Sequence, residues 1–243
     1  MLFVPAHKDE LIAKALSSSA DAVIFDLEDS CPGMGNYHKG RENIKDNPGH
    51  FVRVRSYKDF DISCYCRGVI VPKAESVIPK DVFVCDVYAL IETAAGVINC
   101  DQIAGSVKGL VFGNEDYSSD TMCEDYSFAR GMIVNCARKH NITAIDTVNV
   151  DVHNLEKLEG DCFASASAGF DGKLCIHPKE IEVIHRYYTP TKEQYLYSLK
   201  VVRLYDKAVQ QGSGVAILDG VYVAPPMVKK ANKIITRYET YND

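Results

Sequence analysis

Residues 2–178 carry eight short apolar runs: "LFVPA" (2–6), "DAVIFDLE" (21–28), "HFVRVR" (50–55), "GVIVPK" (68–73), "VYALIET" (87–93), "VKGLVFGN" (107–114), "ITAIDT" (142–147) and "GKLCIHP" (172–178). Most are nearly continuous in apolar residues rather than alternating, the pattern of parallel strands buried on both faces. Helical patterns separate them at 9–19, roughly 37–45, 94–104, 125–140 and 154–168. Asp9 and Glu10 put negative charge in the first turn of the first helix, where the helix dipole favours it. Eight such units predict an α/β fold, a (β/α)8 (TIM) barrel. An open doubly wound sheet is the alternative, but no glycine-rich phosphate loop follows the first strand.

Segments 56–67 and 74–86 are too short and polar for full helices, so the barrel is expected to carry shortened segments after strands 3 and 4. Beyond the eighth run come an amphipathic stretch (191–211), a hairpin signal "AILDGVYVA" and a final helix starting near Pro226. The chain is therefore divided into a barrel over 1–190 and a C-terminal helical and hairpin extension over 191–243. Such a tail either caps its own barrel or reaches a neighbouring subunit. A net charge of −6 argues against a nucleic-acid or anionic-membrane binder. No apolar stretch approaches the roughly 18–20 residues of a membrane span. The start lacks the basic and long apolar regions of a signal peptide. Nine cysteines, irregularly spaced, read as small buried hydrophobes rather than zinc ligands, and a reducing cytoplasm suits them.

Function in a barrel of this kind sits at the C-terminal ends of the strands. Those ends carry His7, Glu28 and Asp29, Arg53 and Arg55, Lys73, Glu92, Asn114 with Glu115 and Asp116, Asp146, and His177. Desolvating an ionised carboxylate is costly unless something compensates it. Glu92 and Asp116, on consecutive strands, are placed to meet over a hard cation, and two carboxylates with open water positions describe a magnesium site. Solvation or pairing with an arginine are the other possibilities. Arg53 and Arg55 share a strand face and offer planar forks for a carboxylate or enolate oxygen, or an ion pair for Glu28 or Asp29. His177, ahead of Pro178, suits an acid, a ligand or a helix-start residue.

"LFVPAHKDELIAKALSSSADAVIFDLEDS", "GVIVPKAES", "ALIETAAGV", "GLVFGNEDYSSD" and "GFDGKLCIHPKEIEVI" together resemble the citrate lyase beta subunit-like family of the HpcH/HpaI aldolase superfamily, in order and over essentially the whole chain. The resemblance implies a Mg2+-binding (β/α)8 barrel that assembles as trimers or hexamers. Its implied activity is a C–C lyase acting on an acyl-CoA or acyl-carrier-protein thioester of a hydroxy acid, releasing an oxoacid and an acyl thioester. By position, Glu92 and Asp116 match the metal and substrate ligands. Arg53 matches the arginine that meets substrate oxygens, while Glu28 and Asp29 match the acidic pair supporting metal-bound waters and the arginine.

Two positions depart from the family pattern. Lys8 stands where relatives carry arginine. In the tail, "LDGVYVAPPMVKKA" places Ala224 where many relatives carry an acid/base aspartate, often delivered to a neighbour's site. Positioned acid–base groups contribute on the order of 10²–10⁴-fold in rate, so slow turnover is expected. A catalytically impaired metal- or oxoacid-binding paralogue and a thioesterase on the same scaffold remain the alternatives.

Overall fold

The computed structural model describes residues 1–242 and divides the chain into two units, Met1–Ile184 and a second from His185 onward. In the first unit eight parallel strands run in sequence order, β1 (Leu2–Pro5), β2 (Val23–Asp26), β3 (Phe51–Arg53), β4 (Gly68–Val71), β5 (Asp86–Ile91), β6 (Gly109–Phe112), β7 (Thr143–Asp146) and β8 (Gly172–Lys173). Residues just past β8 return to β1. Leu2 bridges Cys175 in parallel, the Phe3 N–H donates to the Cys175 carbonyl at 2.9 Å, and the Cys175 N–H donates to the Met1 carbonyl at 2.9 Å. The sheet therefore curls into a (β/α)8-type barrel.

The continuous apolar runs have the burial that a two-sided environment demands: all four residues of β2, of β4 and of β6 are buried. One residue from each of β2 to β7, namely Ile24, Phe51, Ile70, Leu90, Val111 and Ile145, joins Leu174 in a single interior cluster. This layer fills the barrel interior, so a ligand cavity can open only at its ends.

Helices α1 (Asp9–Leu16), α2 (Gly33–Asp46), α3 (Ala94–Ile98), α4 (Cys100–Ala104), α5 (Asn114–Thr121), α6 (Ser127–His140) and α7 (Leu155–Ala168) follow their strands. The helix expected over 94–104 is interrupted at Asn99. Residues 114–121, which are not among the expected helices, form α5. After β3 there is only a 3-10 segment, Tyr57–Tyr65, and between β4 and β5 no helix, so both shortened crossovers are present. Five of the nine free cysteines, Cys31, Cys100, Cys136, Cys162 and Cys175, are buried, while Cys64 is exposed and Cys66, Cys85 and Cys123 are partly so. Helix α8 (Ile181–Tyr188) spans the point at which the first unit ends.

The second unit is a helix–hairpin–helix. Helix α9 (Lys192–Gln210) starts on a capping box of Thr191 with Gln194, two reciprocal bonds that satisfy orphan N-terminal amides. Strands β9 (Ala216–Leu218) and β10 (Val221–Val223) pair antiparallel about Asp219 and Gly220, both at positive φ as a tight hairpin turn requires. Helix α10 (Pro225–Asn242) packs on α9 through Val201, Val223 and Ala231, with the Tyr195 and Tyr238 rings stacked at 4.4 Å. Among the described residues no helix is long and apolar enough to cross a membrane.

Candidate active site

Asp26 and Arg53 are Cα partners in the β2–β3 register, so their side chains project on the same side of neighbouring strands. Their contact is bidentate: Arg53 Nε donates to Asp26 Oδ1 at 2.7 Å and Nη2 to Oδ2 at 2.8 Å. Nη1 faces Glu28 Oε2 at 3.1 Å and Nη2 faces Asp29 Oδ2 at 3.2 Å. Sequence reasoning placed Glu28 and Asp29 beside Arg53 and missed Asp26, which makes the tightest contact. Burial pushes the Asp26 carboxyl up, but the hydrogen bonds and charge of Arg53 outweigh it and hold Asp26 below its usual range. Arg53 is correspondingly raised: burial alone lowers it, and the surrounding acids more than reverse that. The same Asp26 oxygens accept the Glu28 and Ser30 N–H groups at 3.0 Å each, tying the loop after β2 to the strand.

Glu92 is the first residue past β5, and the chain turns at once into α3 because Thr93 Oγ1 accepts the Gly96 N–H at 3.0 Å. Gly96 lets α3 approach the β4 loop, since a Cβ there would stand 2.7 Å from the Ala74 carbonyl oxygen. Beside it, the Lys73 N–H donates to Glu92 Oε1 at 2.8 Å, with Lys73 at a left-handed φ of 48°. On the other side Gly113 clears the space, because a Cβ there would meet Glu92 Oε2 at 2.7 Å. Glu92 is only 2% exposed, and burial, with Asp116 and Glu28 adding to it against the Lys73 amide, pushes its carboxyl up to about 7.

Asp116 lies in the first turn of α5, whose Asp120 caps the Ala94 N–H at 2.8 Å and so fastens α5 to the helix after Glu92. The Lys73 ammonium bridges the two sides of the cavity, 3.4 Å from Glu28 Oε1 and 3.8 Å from Asp116 Oδ1. Burial raises Glu28, with Asp29 and Asp26 reinforcing it against the nearby Arg53 and Lys73. Five carboxylates (Asp26, Glu28, Asp29, Glu92, Asp116) thus face two cations, Arg53 and Lys73. The deficit of positive charge centres on Glu92, the group least able to bear it. A small divalent cation between Glu92 and Asp116 would supply that charge. Among the described residues no group of three or more His, Cys, Asp or Glu is arranged to hold a metal; an ion held by Glu92 and Asp116 alone would fill its shell from solvent or substrate, as Mg2+ characteristically does.

Asp26, Asp29, Arg53, Glu92 and Asp116 line one cavity of about 540 Å³, whose apolar wall includes Phe3, Leu90, Phe112, Val148 and Leu174. Other rim residues have different duties. Glu115 accepts from Asn114 Nδ2 at 2.8 Å, and Asn114 is itself fastened to Thr147. His177 accepts the Lys179 N–H and starts a 3-10 turn. Asp146 is fully buried in a bidentate pair with Arg130 and a contact with the equally buried Lys173 Nζ at 3.2 Å. Arg55 bonds main-chain carbonyls.

Barrel, cavity and carboxylate cluster define a (β/α)8 protein with an acidic cavity at the C-terminal ends of its strands. A family model described as HpcH/HpaI aldolase/citrate lyase matches residues 68–178. A solved citrate lyase beta subunit from M. tuberculosis, complexed with oxaloacetate and magnesium, is 30% identical, covers 78% of this chain and 96% of its own, and superposes with a TM-score of 0.70. A protein of Mycobacterium tuberculosis solved with magnesium, acetoacetate and coenzyme A is 27% identical over 98% of this chain and 97% of its own, with a TM-score of 0.81. The citrate lyase subunit beta-like protein of Deinococcus radiodurans is 29% identical over 97% of this chain and 95% of its own length. A (3S)-malyl-CoA thioesterase of Cereibacter sphaeroides is 25% identical over 98% and 94%. The chain belongs to the HpcH/HpaI aldolase/citrate lyase family.

Proposed function

We propose that this protein is a cytoplasmic, Mg2+-dependent carbon–carbon lyase acting on the acyl-CoA or acyl-carrier-protein thioester of a hydroxy acid, releasing an oxoacid and an acyl thioester. The observation that carries this reading is the meeting of Glu92 and Asp116 with the Arg53 cluster in one strand-end cavity. Relatives solved with magnesium and oxaloacetate, or with magnesium, acetoacetate and coenzyme A, support the ligand chemistry. Glu92 and Asp116 hold the ion, which when bound supplies Lewis-acid polarisation of substrate oxygens. Arg53 meets the oxoacid or enolate oxygen. Because Asp26, Glu28 and Asp29 fix its guanidinium beforehand, little reorganisation is needed as charge develops. The apolar wall of Phe3, Leu90, Phe112 and Leu174 limits water around the reacting atoms and strengthens those interactions.

Ala224 follows β10 directly and has no proton to give. In this reading the protein is a trimer or hexamer in which residues 191–243 of one subunit reach the barrel of the next, with turnover reduced by the missing carboxyl. The thioesterase relative favours a second reading, hydrolysis on the same scaffold. Incubation with Mg2+ and malyl-, citramalyl- or citryl-CoA distinguishes them. The lyase yields an oxoacid and a shorter thioester, with no free thiol. A free thiol and an intact hydroxy acid indicate the thioesterase. Neither product, with Mg2+ still bound, indicates an accessory role.

A further inference from the structure

Glu28 and Asp29 sit on the short loop after β2, and with Asp26 they bring three like charges within one turn of chain. Burial and the neighbouring Asp29 and Asp26 raise the Glu28 carboxyl, so the loop needs fastening beyond its own acids. Arg55 supplies it. Its Nε donates to the Leu27 carbonyl at 2.6 Å and its Nη2 to the Cys31 carbonyl, so one rigid fork grips both ends of the loop. The fork is itself held. Its guanidinium lies over the Tyr37 ring at 4.4 Å, the Tyr37 hydroxyl donates to Asp59 Oδ1, and Asp59 Oδ2 accepts the Arg55 main-chain N–H at 2.8 Å. Asp59 is 2% exposed and also pairs with Arg41 at 3.4 Å. Arg55 thereby links α2 and the 3-10 segment after β3 to the loop that carries two of the acids around Arg53. Lysine, a point charge on a flexible stem, cannot span two carbonyls in this way.

We propose that Arg55 is a positioning residue for the active site, fastening Leu27 and Cys31 so that Glu28 and Asp29 stay against Arg53. Its kinetic consequence rests on the lyase reading; its structural consequence does not. The test is amide hydrogen exchange on the full chain in wild type, Arg55→Lys and Arg55→Ala, with lyase turnover and calorimetric Mg2+ affinity on the same samples.

The loop amides at Leu27, Glu28, Ser30 and Cys31 are all hydrogen-bonded and report its opening directly. In both variants they should exchange on the order of tenfold faster, the loss of about one charge-assisted hydrogen bond, while amides around Glu92 keep wild-type rates. Oxoacid turnover should fall about 10- to 100-fold in kcat, Mg2+ affinity should stay within about threefold, and added guanidinium should restore part of the loss in Arg55→Ala but not in Arg55→Lys. Unchanged loop exchange overturns the proposal. So does exchange accelerated equally across the barrel, or full turnover with the loop loosened. A loosened loop in a protein whose wild type cleaves no thioester leaves the clamp standing and removes the lyase reading instead.

Discussion

Replacing Glu92 by glutamine should make the metal-free protein more stable at pH 8 while removing its affinity for Mg2+. Glu92 is nearly inaccessible, and burial lifts its carboxyl from the ordinary 4.5 to about 7. A raised carboxyl contributes stability that is fully present below its unfolded-state value and lost as pH rises through its folded value. For Glu92 that window runs from 4.5 to about 7. At about 1.4 kcal/mol per pH unit the ceiling is about 3 kcal/mol, reached near pH 8. Half-exposed Asp116, one source of the repulsion, is screened by solvent, which brings the expectation nearer 2 kcal/mol. Glutamine keeps an oxygen for the Lys73 N–H and removes the charge. For a chain of this length the gain corresponds to a Tm higher by roughly 4–8 °C. Scanning calorimetry in a chelator at pH 5 and pH 8 is the assay. The Tm of the variant should exceed that of wild type at pH 8, and the two should converge at pH 5. Added Mg2+ should raise the wild-type Tm alone. An Glu92→Gln Tm at or below wild type at pH 8 would refute the reasoning.

Arg53→Lys retains charge but loses the bidentate grip on Asp26, so oxoacid turnover should fall at least about tenfold; an unaffected rate would show that Arg53 does not touch the reacting oxygens. Arg53→Met leaves Asp26 buried without its partner and should lower unfolding free energy by about 3–5 kcal/mol in a denaturant titration. Gly113→Ala puts a methyl 2.7 Å from Glu92 Oε2, so a folded variant should bind Mg2+ about tenfold more weakly by calorimetry, roughly the effect of a displaced ligand. Ala224→Asp restores a carboxyl at the position the family resemblance assigns to an acid/base group; a rise in turnover with unchanged Mg2+ affinity is expected, and no rise in a correctly assembled variant would place the tail elsewhere.

The eight strands were legible because burial on both faces forces continuous apolar runs, and the two thin crossovers because segments 56–67 and 74–86 lack a helical stripe. Helix α5 was not legible. "NEDYSSDT" has one buried residue, Tyr117, and its helical state comes from the acids in its first turn and from docking through Asp120. Within the site, Glu92, Asp116 and the Arg53 group could be nominated because each lies at or within a few residues of the C-terminal end of an apolar run. Asp26 could not, because a carboxylate inside "VIFDLE" shows nothing of the face it occupies; only the register with Arg53 reveals its role. Arg55 shows the converse limit. A two-residue spacing on a strand predicts a shared face with Arg53, but the chain leaves β3 at Arg53, and Arg55 follows the loop geometry instead. Nothing in "GKLCIHP" singles out Lys173; its acids, Asp146 and Asp161, are distant in sequence and meet it only in the folded barrel.

The proposed function turns on Glu92 and Asp116 holding one divalent cation. Isothermal titration of Mg2+ into wild type, Glu92→Ala and Asp116→Ala tests it most directly. One site per chain is expected in wild type, with loss of that site in each variant and the variants otherwise folded. Equal affinity in wild type and Glu92→Ala would contradict it.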